Sequence, residues 1–571
     1  MRARRSILVA AVSAIALAAT TSLTTAAWTD SEWVRSAVGV SSPGDCSTNS
    51  MFTNQAWARE LHGTVLNTNL DTVAGVQGLT VVNNGTAATP TPPSAVLVPG
   101  TTDAYVTKIP VTALGSSPVS LGLGLGAPVG GLGTYTQWAR SQKSGQAHGA
   151  AGLVSDQTGA LDVAGTSQGA ATAPKSASIS LGNIVPASLS GVTLDVGAVA
   201  SSSALDACVM TNGWPMLNAS PTVQRQYGIA GLDLTAAIPA VGTLSTQGAS
   251  LVGAVPTQLN TFLGTTGLAN QINDGIKGIV NPLLGGLAVG SFSTTASLTT
   301  DLNGVTAMMT ESMTDGIVTI NLGAGTVKVN IASLAGSATT GLNGMEPNHA
   351  VVLDAAMTAA VTTRVTALLD SWKNRVLSAL TSALGNAQLA STTVVDLRAP
   401  ILGTPLAKIT VKTGPATVAQ FIAGSASGPD VSVEVLGGGG AVAALVNTLL
   451  TTLTNSANGV VQTALATTDF VAKSTVFNAN LVSNLGSSLQ LLITPVINAV
   501  GPVLTAVRTL VAINVNVQPD QVWPGTKPAD VTAAAGEYKV SAIRVGLVDS
   551  SGLLSLSLGS SSAGPAALVV P

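Results

Sequence analysis

Ile317-Val318-Thr319-Ile320-Asn321-Leu322, then Gly323-Ala324-Gly325, then Thr326-Val327-Lys328-Val329-Asn330-Ile331 reads as two alternating strands around a glycine turn, the pattern of a β-hairpin. A short way on, the period changes. Val361, Val365, Leu368, Leu369, Trp372, Val376, Ala379, Leu380 and Ala383 recur at three- and four-residue spacing, which predicts a helix from about Ala350 to Leu384. Asn348 is placed to cap its start and Gly385 to end it, with Arg364, Asp370, Lys373 and Arg375 on the solvent side. Strand pairs next to long helices predict an α+β fold.

Working outward, residues 28–235 read as strands and turns. Four of the seven tryptophans (Trp28, Trp33, Trp57 and Trp138) lie before residue 140, and Tyr105, Thr107 and Ile109 alternate with Val106 and Lys108. Residues 236–436 and 437–571 mix helices and strands, with Gly437 to Gly440 as a joint between them. The chain is therefore expected to be multidomain, a β-rich N-terminal region followed by helix-plus-strand modules. A loose module recurs over 256–335, 350–436 and 441–548. Leu489 to Val507 is apolar enough to raise a membrane span, but Gln490, Pro495, Asn498 and Pro502 interrupt it. A buried, broken helix pair is expected there, with no stable transmembrane helix in the mature chain.

Charged residues make up 9% of the 571, aromatics 3% and hydrophobics 46%. The charged share is about a third of the usual one. A net charge of −3 offers no basic surface, so nucleic acid is not expected as a partner. At the N-terminus, Arg2, Arg4 and Arg5 precede a run from Ile7 to Ala19 that is apolar except for Ser13. That run is shorter than the about 20 residues of a membrane span and fits a signal peptide over residues 1–27. Cleavage sites stand after Ala18 and between Ala27 and Trp28, and Arg4-Arg5 keeps the twin-arginine route open beside the general one. Loss of the three arginines takes the net charge from −3 to −6. In an oxidising compartment the only two cysteines, Cys46 and Cys208, are expected to pair; two buried free thiols are the alternative. Two cysteines and three scattered histidines build no structural zinc site, and no metal or cofactor is expected.

Gly165-Thr166-Ser167-Gln168-Gly169 matches the nucleophile elbow and resembles the pentapeptide of cutinase-like esterases. Pro174 would cut the following helix short, and the only downstream histidine is His349, with Asp206 among the acids between them. The glycines from Gly122 to Gly133 lack the dinucleotide spacing, because Val129 occupies the third place. His62 near Glu60 and Asp71, and His148 in an expected turn, are background for metal or acid–base work. Asp45 and Asp549-Ser550-Ser551-Gly552 suit turns better than calcium. The glycosylation-like Asn84-Gly85-Thr86 and Asn218-Ala219-Ser220 also read as turns.

Gln55 to Val65, Gly145 to Val154, Ala512-Ile513-Asn514-Val515-Asn516-Val517-Gln518-Pro519 and Tyr538 to Leu547 resemble the choice-of-anchor G family of actinobacterial surface proteins. Ala27-Trp28-Thr29-Asp30-Ser31-Glu32 resembles the junction cut by SipW-type signal peptidases. The resemblance implies export and brings no catalytic residues with it. The chain departs from anchored members in showing no Leu-Pro-x-Thr-Gly signal and no apolar span with a basic tail, which leaves release or retention by another component. The expected function is that of a secreted or cell-surface structural or adhesion protein, not an enzyme, with cell-envelope components or its own copies as partners. The two rivals are a secreted serine esterase using Ser167 and a subunit of an extracellular fibre.

Overall fold

The computed structural model describes residues 45–46, 51–65, 68–70, 77–110, 125–126, 134–161, 177–181, 191–284, 288–336, 340–399, 401, 403–437, 440–467, 470–547 and 554–569. Among them the fold is α+β, with four antiparallel sheets. Numbering strands along the chain, an eight-stranded sheet runs β19 (His349–Ala350), β23 (Val511–Val517), β24 (Tyr538–Leu547), β25 (Leu554–Leu568), β1 (Phe52–Val65), β3 (Leu79–Asn84) and β4 (Ala88–Thr91), with β2 (Thr68–Asn69) at one end of β1. A six-stranded sheet runs β13 (Trp214–Ile229), β12 (Val199–Thr211), β9 (Gln146–Gly152), β8 (Thr134–Ser141), β6 (Ala104–Pro110) and β5 (Val96–Leu97). A seven-stranded sheet runs β16 (Ser312–Thr314), β17 (Val318–Asn321), β18 (Thr326–Asn330), β14 (Leu232–Ala237), β11 (Val192–Val196), β10 (Ala177–Ser180) and β7 (Leu125–Gly126). The last sheet has four strands, β15 (Ala288–Thr299), β20 (Gln388–Arg398), β21 (Pro405–Thr417) and β22 (Asp430–Val435). The hairpin read between Ile317 and Ile331 is β17–β18, with Val318 opposite Val329.

The helices are α1 (Pro239–Gly253), α2 (Val255–Thr266), α3 (Leu268–Val280), α4 (Asn303–Met308), α5 (Ile331–Ala335), α6 (Ala355–Gly385), α7 (Val418–Ile422), α8 (Gly440–Thr467) and α9 (Phe470–Leu510). In α6 the buried stripe is Val361, Val365, Leu369, Trp372, Val376, Leu380 and Leu384, as the spacing predicts. Its cap differs from the expectation. Asp354 accepts from the Met357 N–H at 2.7 Å, while Asn348 sits seven residues before the helix with φ at 61°. Asn348 is instead fully buried, accepting from the Gln518 N–H at 2.7 Å and donating to the Gln518 carbonyl at 3.0 Å, so it ties β19 to β23.

The region from Leu489 to Val507 is also corrected. It lies inside one continuous helix, α9, whose buried stripe includes Leu485, Leu489, Ile493, Val496, Val500 and Leu504. Pro495 and Pro502 fall on its exposed side, where water can take the carbonyls that a proline leaves unpaired. By length and composition α9 is long and apolar enough to cross a membrane; in this fold its apolar stripe packs along α6 and α1. The helices carry few charges outside. In α6, the hydroxyls of Thr358, Thr362 and Thr366 donate to the carbonyls four residues back at 3.0, 2.9 and 2.9 Å, and those of Thr448 and Thr452 do the same in α8. The hydroxyls are thereby satisfied by their own helix and the methyls are left outward.

One continuous apolar core joins the seven-stranded sheet (Ile179, Leu194, Leu234), the helices (Leu244, Ile272, Trp372, Leu449, Ile493), the four-stranded sheet (Leu389, Ile409) and the eight-stranded sheet (Ile513, Val545, Leu556). Trp372 is fully buried at its centre, and its indole N–H donates to the Met308 carbonyl at 2.9 Å. The sheets therefore do not follow the division at 235 and 436. The eight-stranded sheet takes β1 from the first region and β23 to β25 from the last, and the seven-stranded sheet joins β14 to β18.

The eight- and six-stranded sheets stack face to face over small residues. Ala56, Ala139, Ala147, Ala207 and Ala563 are buried between them, and the Ser201 and Ser561 hydroxyls meet at 2.7 Å. A Cβ built on Gly149 would press on the Trp57 carbonyl and lie 2.6 Å from that of Ser562, so the backbones approach too closely there for a side chain. The long connection from Gln518 to Glu537 closes one end of this sandwich, pinned by three carboxylates. Asp520 pairs with Arg225 at 2.6 Å, Glu537 accepts from the Trp57 indole N–H at 2.6 Å, and Asp530 binds Arg544 with two contacts at 2.7 and 2.6 Å and accepts from the Ser555 hydroxyl. Burial pushes the Asp530 carboxyl up, but the hydrogen bonds from Arg544 and Ser555 and the guanidinium charge outweigh it and hold the group below the usual range. Arg544 is 2% exposed. Asp530→Ala strands that guanidinium without its partner and is expected to cost about 3–5 kcal/mol of unfolding free energy, measured by denaturant titration.

Candidate functional site

The alternation of β8, β9, β12 and β13 sends one set of side chains into the sandwich and the other to the outer face of the six-stranded sheet. Ala147, Gly149 and Ala151 alternate with Gln146, His148 and Ala150, and Ser201, Ser203 and Leu205 alternate with Ser202, Ala204 and Asp206. Cross-strand register then lines up the outward residues. Arg140 stands opposite His148, His148 opposite Ala204 and Ala204 opposite Gln224; in the next row, Gln146 stands opposite Asp206 and Asp206 opposite Thr222. These two rows floor a groove of about 490 Å³, walled by Thr101, Gln157 and Thr158. Ala204, the smallest side chain in its row, makes a notch between His148 and Gln224.

At one end of the groove the Trp138 ring is buried among Val98, Val106 and Val154 and stands edge-on to His148, with centroids 4.7 Å apart. Gly159 passes over it with φ at +69°, and a Cβ there would sit 2.7 Å from the ring, so only glycine lets this loop cover the indole. The charges in the groove are held from within. Arg140 donates to Asp103 at 3.0 Å, and Asp206 accepts from the Gln146 amide at 3.3 Å and from the Cys208 N–H at 3.2 Å. The His148 Nε2 and the Ser202 hydroxyl lie 2.8 Å apart. Burial, helped by the neighbouring Arg140 charge, pushes the His148 imidazole down to about 4. The groove is thus lined mainly by amides, hydroxyls and a neutral imidazole, with the paired Arg140 and Asp206 and the apolar Trp138, Ala147, Ala204 and Leu205 among them.

Cys208 follows two residues after Asp206 on β12. It forms a disulfide with Cys46, Cα atoms 5.8 Å apart, across 162 residues of chain. The loop it closes removes about 5 kcal/mol of denatured-state entropy in the loop-closure model. Beyond it β12 and β13 continue as a ribbon, turning at Asn212 and Gly213 with φ of 53° and 84°, the two-residue turn that matches strand twist.

Of the residues singled out in the sequence, Ser167, Ala27, Trp28, Asp71 and Asp549 to Gly552 lie outside the described residues. Asp206 is in the groove, whereas His349 is on β19 of the other sheet. His148 lies on β9 rather than in a turn, because its neighbours Ala147 and Gly149 are small to let the sheets meet, not to bend the chain. His62 is on β1, its Nδ1 3.3 Å from Arg59. Of the glycine-rich stretch only Leu125 and Gly126 are described, paired with β10. Asn84 accepts from the backbone N–H groups of Thr86 and Ala87 and makes a turn after β3, whereas Asn218, expected in a turn, lies within β13, where the ladder with β12 shifts register and its side chain accepts from the Ser220 N–H. Among the described residues no three His, Cys, Asp or Glu side chains gather as a metal site. The sequence reading missed the groove as such; its signal was the Gln146/His148 and Ser202/Asp206 alternation around the Asn212-Gly213 turn.

His148 supplies a pH test. Its folded value lies below the free value of 6.5, so the unfolded chain binds the proton first and stability present above pH 6.5 is lost as pH falls towards 4. His148→Gln is expected to flatten this limb of the stability profile, removing a loss of about 3 kcal/mol, as read by denaturant midpoints between pH 7 and 4.

A family model described as a domain of unknown function, DUF8394, matches residues 56–564, from β1 through β25. No curated protein and no solved structure matches the chain.

Proposed function

The chain belongs to the DUF8394 family, and from that premise we propose that it is an exported protein of the cell surface or extracellular space which works by structure and adhesion, with the groove on the six-stranded sheet as its binding face. The observation that carries this is the Cys46–Cys208 disulfide, two residues along β12 from the groove's Asp206, whose carboxylate accepts from the Cys208 N–H. A bond of this kind persists in oxidising compartments, which supports an address outside the cytoplasm. The leader-like residues 1–27 support the same address.

The four stretches that resemble choice-of-anchor G proteins fall on β1, β9, β23 and β24, the strands of the sandwich that carries the groove. Asn516 and Gln518 within them build the buried amide knot with Asn348. The likeness therefore falls mainly on the eight-stranded sheet, with β9 on the groove's own sheet, and supports a surface role.

Fractionation of the producing cells with intact-mass measurement tests the reading. The expected chain starts at Trp28, gains the mass of two hydrogens on reduction, and is retained on purified cell walls or matrix. A full-length chain in the cytoplasm with two free thiols, or a mature chain retained by no envelope fraction, overturns it.

A further inference from the structure

We infer that the groove on the outer face of the six-stranded sheet is a binding site for a neutral saccharide chain. The inference rests on the adhesion reading and names its ligand class.

The donor set makes the first argument. Glutamines at 142, 146, 157 and 224 and threonines at 101, 158 and 222 line the recess. Each amide presents donors and an acceptor side by side, and each hydroxyl presents both on one atom. A ring bearing neighbouring hydroxyl groups is the ligand class that uses such pairs in both directions at once. A volume of about 490 Å³ falls within the range of small-molecule sites.

Charge makes the second. Arg140 is taken by Asp103, and Asp206 by the Gln146 amide and a backbone N–H. His148 stays neutral at ordinary pH. An anionic or cationic ligand would have to break one of these pairs, whereas a neutral one meets them already oriented. Among the described residues the buried Trp138 Nε1 has no acceptor, so the end of the groove also carries an unused donor beside the recess.

The sheet's own pairing separates a saccharide from a peptide. Extended peptides add to a sheet edge through main-chain bonds and side-chain pockets. Here the floor is β8, β9, β12 and β13; the first three have their backbone groups used in ladders on both sides, so only β13, at the sheet's edge, could take an added strand, and the apolar part of the lining is confined to Trp138, Ala147, Ala204 and Leu205. What it offers is the notch at Ala204, flanked by His148 and Gln224.

The test uses the mature full-length chain in native gels containing dextran, yeast mannan or larch arabinogalactan, with alginate as the anionic counterpart. Two variants are run beside it: Ala204→Trp, which fills the notch, and Gln224→Ala, an exposed position that leaves packing intact. Retardation by one of the neutral polysaccharides, weakened at least about tenfold by Ala204→Trp and several-fold by Gln224→Ala, is the expected result. Retardation by alginate alone, or equal retardation of both variants and the parent chain, overturns the inference. No retardation by any polysaccharide also overturns it, and retention on cell walls in that case leaves the adhesion reading standing. Loss of both kinds of retention removes the two together.

Discussion

Two sheets that meet over alanine, serine and glycine constrain much of this molecule. At Gly149 the opposing carbonyls leave no room for a Cβ, and around it the buried hydroxyls answer one another: Ser201 to Ser561, Ser541 to Ser560, Ser203 to the Tyr538 carbonyl. A buried hydroxyl without a partner costs about 1–3 kcal/mol, so this seam tolerates one register. Strand geometry then leaves no freedom for the other face. With Ala147, Gly149 and Ala151 turned inward, Gln146 and His148 must face out, and a slip of one residue would bury the glutamine and expose the alanines. The groove is a by-product of the seam.

β25 shows how the seam is joined to the rest. Leu554, Leu556 and Leu558 enter the apolar core shared by the helices, while Ser560 and Ser561 sit in polar contacts of the sandwich. One strand thus belongs to a greasy interface and a hydroxyl-lined one. The connection from Gln518 to Glu537 is held by ion pairs, a tryptophan N–H, the Asn348 amide and the buried Val531, because so polar a segment has little apolar surface of its own to keep it down.

Where a side-chain period is written in large apolar residues, the fold was legible. The stripe of α6 and the hairpin β17–β18 follow directly from Val361 to Ala383 and from Ile317 to Ile331, and the disulfide from there being two cysteines. The start of α6 was misplaced because Asn348 has the chemistry of a cap but is claimed by Gln518, a partner 170 residues away in sequence. The pairing of β1 with β25 was not legible, since alanines and serines alternate without a hydrophobic signature to set register. The groove was hidden for a related reason. Arg140, His148, Ala204 and Gln224 come from four strands, each ordinary alone, and only cross-strand register makes them one surface.

The pairing of Phe52 with Leu568 has a further meaning. Ribosomes deliver β25 long after β1, so the eight-stranded sheet cannot close until β25 has emerged. Through all of that time β1 is a long strand without one of its two neighbours, on a chain poor in the charges that keep exposed edges apart. Such non-local pairings are slow to form. A chain interrupted before Leu554 therefore has an open central sheet however well its helices are made.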